Sequence, residues 1–458
     1  MGPAAPYTNR PDYAAAQKAA LDLADLLTPQ SGAYYDVWLD GEKFMSAYKE
    51  DPAVTEARAF NGFGTNFENS PEPIYGAQFL PRKFKIATTV PGDNSVDLFT
   101  QDLGVVVIMD ETGQQVKGYN LYVGGGQGRS HRDADTFPRL ADPLGFVAKD
   151  DLLHAAKAVV CVQRDYGRRD NRKQARTRHL LAEWGIDKFR SVAEQYFGKT
   201  FQSAAPLPAW QYKDYLGWGE QGDGKLFYGV YVQNGRIKGE AKKALRAVIE
   251  KFNLPVVLTP HQNLILRDVE PAAKEEVTAL LRAGGVKELV EWDGLDRLSM
   301  ACPALPLCGL AVTEAERALP DVNVRIRAML MRAGLPASQP LHVRMTGCPN
   351  GCVRPYVAEL ALVGDGPNSY QLWLGGGPAQ TRLAQTYAER VKVKDLEATL
   401  EPLFAAWAAH RQPGEAFGDW AARQGFDTVR QQAAAAAAAA ARQAPPAAAA
   451  AAAASGAK

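Results

Sequence analysis

Hydrophobic and polar positions along the chain recur with periods that predict both helices and strands. Apolar residues three and four positions apart predict a helix over 11–27 and another over about 149–166. Strand character is predicted for YYDVWL and for FLPRKFKIATTV. The segment LGVVVIMDETGQQVKGYNLYVGGG predicts a hairpin that ends in a run of glycines. The first half of the chain therefore combines helices with antiparallel strands.

The central part of the chain alternates between strand and helix patterns. KLFYGVYVQNGRI and PVVLTPHQNLILRDV are typical of strands, and GEAKKALRAVIEKF and PAAKEEVTALLRAG are typical of helices. Taken in chain order, they predict a β-α-β-α unit. Further on, VAELALVGDG and YQLWLGGG predict strands, and about 394–411 predicts a helix. We therefore expect an α+β fold.

One short pattern occurs twice. LYVGGG at 121–126 and LWLGGG at 372–377 both end a predicted strand, and arginines follow them, Arg129 and Arg382. Two copies of one β-rich unit around a shared site are the simplest interpretation, with chance similarity of two glycine-ended strands as the alternative.

Composition restricts the class of protein. With 458 residues, a formal net charge of +1 and 46% hydrophobic residues, the chain has the character of a globular protein of two to three domains. The near-neutral balance argues against bulk binding of nucleic acid or membrane surfaces. The sequence shows no signal-peptide pattern and no apolar run of the roughly 18–20 residues that a membrane helix needs. We therefore expect a cytoplasmic, thiol-keeping environment, or the plastid stroma in a photosynthetic eukaryote.

Four of the five cysteines form two close pairs. Cys302 and Cys308 make a C-x5-C pair, Cys348 and Cys352 make a C-x3-C pair in TGCPNGC, and Cys161 stands alone. Four thiolates from two loops fit tetrahedral zinc or a cubane iron–sulfur cluster, with four unligated core cysteines as the alternative. The apolar residues around the first pair favour the cluster, because a dry environment tunes a redox potential. We expect Cys161, in AAKAVVCVQ, to be a core residue on a helix.

Two basic stretches are candidates for anion binding. In RKFK, Lys83 and Lys85 lie two positions apart on a predicted strand and therefore share a face. From these residues alone, a solvated strand face is the simpler explanation. The segment 164–178 contains seven basic residues and two aspartates; the basic residues are Arg164, Arg168, Arg169, Arg172, Lys173, Arg176 and Arg178.

Several motifs together resemble one family in the same order along the chain. SMACPALPLCGLAVTEAERALP (299–320) and RMTGCPNGCVRP are similar to the paired cysteine signature of the nitrite and sulfite reductases that carry sirohaem. QFLPRKFKIATTVPGDNSVDLFT, YNLYVGGGQGRSH, QRDYGRRDNRKQARTR, HQNLIL and GEAFGDW resemble the sulfite reductase haemoproteins of that family. The resemblance runs from about residue 11 to 425.

The resemblance implies roles for ten residues. Cys302, Cys308, Cys348 and Cys352 would bind a [4Fe–4S] cluster, and Cys352 would also be the axial ligand of the sirohaem iron. Lys83 and Lys85 match the substrate-site lysines. Arg82 and Arg176, and less closely Arg129, match partners of the sirohaem carboxylates. Asn350 would cap its turn or donate a hydrogen bond to a cluster sulfur.

The resemblance also implies a domain plan. We expect a flexible N-terminus at 1–10, a first sirohaem-binding repeat at 11–211, a ferredoxin-like half domain at 212–287, a second repeat with the cysteines at 288–425, and a low-complexity alanine-rich tail at 426–458. The family's chain begins with a longer segment that this sequence lacks. That segment would carry two further arginines and the other half of the ferredoxin-like domain, and a second polypeptide is one possible source of it.

Three functions follow from these expectations. The first is a sulfite reductase haemoprotein, which reduces sulfite to sulfide with six electrons received from a flavoprotein or a ferredoxin. The second is a nitrite reductase; the family's nitrite reductases have asparagine at the position of Lys85, so the paired lysines favour sulfite. The third is an inactive subunit that only holds the cofactors.

Overall fold

The computed structural model describes residues 1–30, 38–39, 42–43, 51–130, 133 and 135–443. The chain divides into two compact units, the first made of Met1–Val230 and Ile237–Val286, the second of Tyr231–Arg236 and Lys287–Lys458. Both combine helices with sheets, as the α+β prediction requires. Within the described ranges, no helix is both long and apolar enough to cross a bilayer.

The first unit begins with a four-stranded sheet and the helices packed on it. The elements are α1 (Pro11–Leu26), β1 (Trp38–Leu39), β2 (Glu42–Lys43), α2 (Pro52–Ala59), β3 (Ile86–Thr89), β4 (Leu103–Met109), β5 (Val116–Val123), β6 (Asp142–Ala148), α3 (Leu152–Tyr166) and α4 (Thr177–Phe197). The strand order is β3-β4-β5-β6, with β3 parallel to β4 and the other pairs antiparallel. In β4, Leu103, Val105 and Val107 all join the main core of this unit. The predicted hairpin is thus present; of the predicted YYDVWL strand, residues 34–37 lie outside the described residues.

The first residues of the chain, for which we expect flexibility, pack against the first unit. Ala4 and Ala5 are buried, and the N–H of Thr88 donates to the carbonyl of Met1 at 2.9 Å. The physical reason is that β3 is an edge strand, whose N–H groups need acceptors that the first residues of the chain provide.

A second sheet completes the first unit. Its elements are β7 (Gly217–Glu220), β8 (Leu226–Val230), α5 (Gly239–Phe252), β9 (Val256–Leu258), β10 (Leu264–Val269) and α6 (Lys274–Ala283). The order is β7-β8-β10-β9, and all neighbours are antiparallel. The single strand predicted over PVVLTPHQNLILRDV is wrong, because the segment folds back as a hairpin. Thr259 N–H donates to the carbonyl of Asn263 at 2.9 Å, and Gln262 adopts a positive φ of 66° in the turn.

The second unit contains a five-stranded sheet. Its elements are α7 (Gly294–Leu298), β11 (Met300–Ala301), α8 (Leu319–Arg332), β12 (Val343–Thr346), β13 (Leu360–Gly366), β14 (Ser369–Leu374), β15 (Gln385–Lys392), α9 (Leu396–His410), α10 (Phe417–Gln424) and α11 (Phe426–Gln443). The strand order follows the chain from β11 to β15. β11, β12 and β13 are parallel, and β14 and β15 continue antiparallel.

Part of the segment expected to be a low-complexity tail, 426–458, is helical and packs on the second unit. Phe426–Gln443 is the helix α11, and its Val429 and Ala433 are buried in the core of the second unit. These two residues are four positions apart and therefore lie on one face of the helix. Residues 444–458, which include Pro445 and Pro446, lie outside the described residues.

Two of the sheets share one design. Ile86 of β3 pairs with Leu103 of β4, and Val343 of β12 pairs with Leu360 of β13, so the partners are 17 positions apart in both. A short 3-10 turn precedes the second strand in each case, at Leu98–Thr100 and at Pro355–Val357. Both copies then continue through an antiparallel hairpin into a glycine run.

Candidate functional site

The two cysteine loops begin at the carboxyl ends of two neighbouring parallel strands, β11 and β12, in the second unit's sheet. Ala301 of β11 lies opposite Met345 of β12 in a parallel pair, so the residues that follow the two strands emerge side by side. The N–H of Cys302 donates to the carbonyl of Met345 at 3.2 Å. The sheet thereby brings the C-x5-C segment next to the C-x3-C segment.

Gly347 joins the two loops closely. Its N–H donates to the Sγ of Cys302 at 3.4 Å, and its carbonyl accepts from the N–H of Val312 at 2.8 Å. A Cβ atom added at this position would lie 2.7 Å from the Cβ of Ala304 and 2.7 Å from the carbonyl oxygen of Thr313. Only glycine fits between the loops at this distance.

The PNG turn between the second pair of cysteines is held by its own hydrogen bonds. Asn350 hydrogen-bonds the thiol of Cys348 through both its backbone N–H and its side chain. Gly351 has a φ of 71° and accepts from the N–H of Arg354 at 2.9 Å. The hydroxyl of Tyr356 donates to the carbonyl of Pro349 at 2.8 Å. Asn350 thus contacts the sulfur of Cys348, a candidate cluster ligand.

The four cysteines differ in exposure and influence one another. Cys302 and Cys348 are buried, Cys308 is half-buried and Cys352 is exposed. Burial raises the pKa of Cys302 to about 11, with further contributions from Cys352 and Cys348. Burial also raises the pKa of Cys348, and Cys352 and Cys308 add to that shift. The two pairs are therefore neighbours in space.

This donor set fits a polynuclear iron–sulfur centre. Four thiols converge from two loops, and backbone N–H groups already point at two of the sulfurs, as a negatively charged cluster requires. Cys161 is separate: it is buried in α3, and its thiol contacts the carbonyl of Thr65 at 3.5 Å, as expected for a core residue.

The predicted lysine pair lies in the first unit, in the extended segment just before β3 rather than on the strand itself. Lys83 and Lys85 are exposed, while Phe84 between them packs against the core. The alternation that suggested a shared face is therefore present, although the strand begins only at Ile86.

Three arginines form a cationic cluster in the first unit. Burial lowers the pKa of Arg82, and the charges of Arg172 and Arg176 lower it further. Guanidinium groups that lower one another's pKa repel, and negative charge placed among them reduces that repulsion. The donor set therefore suits a ligand with several carboxylates, as sirohaem would be.

A buried carboxylate that the sequence analysis did not single out holds part of this cluster. The Oδ2 and Oδ1 atoms of Asp102 accept from the Nη2 and Nε of Arg176 at 2.6 and 3.1 Å. Asp102 Oδ2 also accepts from the backbone N–H of Lys85 at 2.8 Å. A usable signal was present in the sequence, since an acid precedes the first strand of both hairpins, as Asp102-Leu103 and Glu359-Leu360.

The two glycine runs and the arginines that follow them can be compared with the repeat expected from the sequence. The Nε of Arg129 donates to the carbonyl of Thr136 at 3.3 Å. The arginine that corresponds to Arg382 is instead Arg139: Arg139 Nη1 donates to the carbonyl of Gly124 at 3.1 Å, and Arg382 Nε donates to the carbonyl of Gly375 at 2.7 Å. The pairing of Arg129 with Arg382 suggested by the repeat is therefore wrong.

Comparison with protein families gives two matches. Residues 21–201 and 296–439 match the nitrite and sulphite reductase 4Fe-4S domain, and residues 219–284 match the nitrite/sulfite reductase ferredoxin-like half domain. The first of these domains occurs twice, on either side of the second.

Similar proteins and a similar structure are also known. The chain is 53% identical to a ferredoxin-type sulfite reductase of Synechococcus elongatus, over 94% of this chain and 69% of that protein. It is 42% identical to an NADPH sulfite reductase hemoprotein beta-component of Methylorubrum populi, over 91% of this chain and 66% of that protein. The solved structure of Mycobacterium tuberculosis NirA matches with a TM-score of 0.65 at 25% identity, covering 88% of this chain and 70% of that one.

Proposed function

The chain belongs to the nitrite and sulphite reductase 4Fe-4S domain family, and from this premise we propose that it is the haemoprotein of a sulfite reductase, which reduces sulfite to sulfide. The family resemblance noted in the sequence and the plan of two repeats around a ferredoxin-like half domain are confirmed. The relatives compared above are longer than this chain, which spans 69% and 66% of their lengths.

The observation that carries the proposal is the convergence of two cysteine loops at Gly347. Cys302, Cys308, Cys348 and Cys352 are the residues that would hold the [4Fe–4S] cluster, and exposed Cys352 is the one that would also ligate sirohaem iron. When bound, these groups would supply electrons one at a time for the six-electron reduction.

The basic residues of the first unit have roles that follow from charge. Sulfite is an anion whose oxygens leave as water, so its site needs cations that bind it and supply protons. Lys83 and Lys85 offer two exposed ammonium groups for this purpose. Arg82, Arg172 and Arg176 would hold the carboxylates of sirohaem, since their mutual repulsion is relieved by a bound polyanion. Asn350, through its contact with Cys348, would support the cluster.

The electron donor in this proposal is a ferredoxin. The 53% identical relative is a ferredoxin-type enzyme, whereas the NADPH-type relatives are 40–42% identical. Turnover with reduced ferredoxin, compared with turnover on NADPH plus a flavoprotein reductase, distinguishes the two donors.

The decisive experiment is anaerobic purification of the chain with sirohaem and cluster supplied. We expect about four iron atoms of cluster and one sirohaem per chain, and sulfide production from sulfite with a chemical reductant. Faster turnover of nitrite than of sulfite would assign the chain to nitrite reduction instead. Full cofactor content without either product would favour the inactive subunit, and recovery of activity on adding a second polypeptide would show that the chain works in a complex.

A further inference from the structure

We propose that Asp102 is a positioning residue, which fixes the substrate-site lysine Lys85 and the cofactor-site arginine Arg176 to one another. The inference rests on the proposed function, because it takes the roles of Lys85 and Arg176 from there. It adds a fully buried residue whose effect passes through the two residues that it binds.

The contacts of Asp102 support this role. The carboxylate of Asp102 binds the guanidinium of Arg176 with two hydrogen bonds. The side chain of Asp102 is 0% exposed and that of Arg176 is 10% exposed. The same carboxylate accepts the backbone N–H of Lys85, while the N–H of the next residue, Leu103, donates to the carbonyl of Lys85 at 3.1 Å. The peptide of Lys85 is therefore held from both sides.

Two-pronged arginine–carboxylate bonding fixes the plane of the guanidinium group as well as its distance. Arg176 immediately precedes α4, so its backbone is fixed by the helix and its head group by Asp102. Removing the acid would leave Arg176 beside Arg82 with no compensating charge from Asp102. The negative charge of Asp102 thus holds the guanidinium group of Arg176 beside that of Arg82 without a bound anionic ligand.

The five-stranded sheet of the second unit repeats the arrangement and provides an independent observation. Glu359 stands at the same register as Asp102, is 2% exposed, and accepts from the backbone N–H of His342 at 3.0 Å. His342 precedes β12 by one residue, as Lys85 precedes β3. Glu359 also accepts from the N–H of Gly418 at 3.1 Å. In both copies, a buried acid clamps the residue before the first strand to a helix terminus.

The test uses three substitutions of Asp102 in the holoprotein. Asp102→Ala removes the contacts with both Lys85 and Arg176. Asp102→Asn keeps an acceptor for the Lys85 N–H but loses the negative charge. Asp102→Glu keeps the charge and introduces the acid that stands at the same register, Glu359, in the five-stranded sheet. Measurements are hydrogen exchange of the peptide containing Lys85, sirohaem per chain, and kcat and KM for sulfite per loaded sirohaem. Asp165→Asn is the matched control, since Asp165 pairs with Arg164 at 2.7 Å but contacts neither Lys85 nor Arg176.

We expect Asp102→Ala to speed exchange at Lys85 and to raise KM about 10-fold or more with a smaller change in kcat. Asp102→Asn should retain slow exchange but lose sirohaem, and Asp102→Glu should restore both. The proposal would be overturned if hydrogen exchange of the Lys85 peptide in Asp102→Ala matched the wild type. It would also be overturned if Asp102→Ala and Asp165→Asn lost sirohaem and activity to the same extent. If the wild-type protein makes no sulfide, but Asp102→Ala still changes exchange and sirohaem content, the proposed function fails and the positioning role stands.

Discussion

The N–H of Gly347 lies 3.4 Å from the Sγ of Cys302, and this contact links the two loops that carry all four candidate cluster ligands. The glycine has no side chain that could keep the loops apart. The proximity of the two cysteine pairs therefore depends on one residue that carries no chemistry itself.

Gly347→Ala should lower the iron and sulfide content of the purified protein. The new methyl group would meet Ala304 and Thr313 at 2.7 Å and push the loops apart, which also costs about 1–3 kcal/mol of folding stability. Iron and acid-labile sulfide analysis, with thermal melting, measures both effects. Gly309→Ala is the control, because a Cβ there would have no neighbour within 4 Å and should leave both values unchanged. Equal iron content in the two variants would contradict the prediction.

Cys352→Ser should abolish the magnetic coupling between cluster and sirohaem and stop sulfite reduction. Cys352 is the exposed member of the four, so it is the thiol that can reach a second centre. Electron paramagnetic resonance and the visible spectrum of the anaerobic protein report the coupling. Cys161→Ala, a change in the buried helix α3, should keep both cofactors even if it melts earlier. A coupled spectrum in Cys352→Ser would refute the assignment of this ligand.

Lys83→Ala and Lys85→Ala should each lower kcat/KM for sulfite by about 10²-fold, since a general acid contributes at least that much. Cofactor spectra should stay intact, because both ammonium groups are exposed and neither belongs to the core. Steady-state kinetics and absorption spectra provide the test. Lys117→Ala, an exposed lysine on β5, should behave as wild type. A variant of Lys83 or Lys85 that melts early instead of losing turnover would show a structural role.

His179 should make the protein less stable in mild acid. Burial lowers its pKa to about 4, and the charges of Arg178, Arg176 and Arg168 add to the shift. In the unfolded chain the pKa is about 6.5, so the unfolded state gains a proton first and stability falls as the pH drops from about 6.5 towards 4. The loss should be complete below about pH 4, where His179 is protonated in both the folded and the unfolded state.

Melting of wild type and His179→Gln at pH 7, 6, 5 and 4 measures this effect. The difference between the two curves removes the contribution of other titrating groups, and it should shrink or reverse towards low pH as the wild type loses stability. Parallel curves over the whole range would mean that His179 titrates normally.

Much of the fold could be predicted from local patterns. The helix Gly239–Phe252 was predicted with its observed bounds, because its apolar positions recur at helical spacing and Asn253 ends it in a left-handed conformation. α8 was missed although Val322, Ile326 and Met329 recur at helical spacing and Pro320 stands in its first turn, both of which are helix signals. The hairpin β9–β10 was missed because a positive φ at a glutamine leaves no sequence signal.

The candidate site was likewise predicted from the sequence only in part. Cysteine spacing predicted which thiols belong together, and the structure brings Cys302 beside the loop of Cys348. Neither Asp102 nor Arg139 was predicted, because their roles arise from contacts with residues far along the chain, Arg176 and Gly124. Spacing identifies ligands that act together locally, whereas partners across a fold become visible only when the strands are paired.

The shared register of the two sheets has a consequence for insertions and deletions. In both copies, 17 positions separate paired residues of the first two parallel strands, although the loops between them differ in almost every side chain. An insertion in 90–102 or 347–359 that shifted the strand pairing by one residue would move Asp102 or Glu359 away from the backbone N–H that it accepts from. A change of length in 90–102 or 347–359 therefore keeps this contact only where it leaves the pairing of the two strands unchanged.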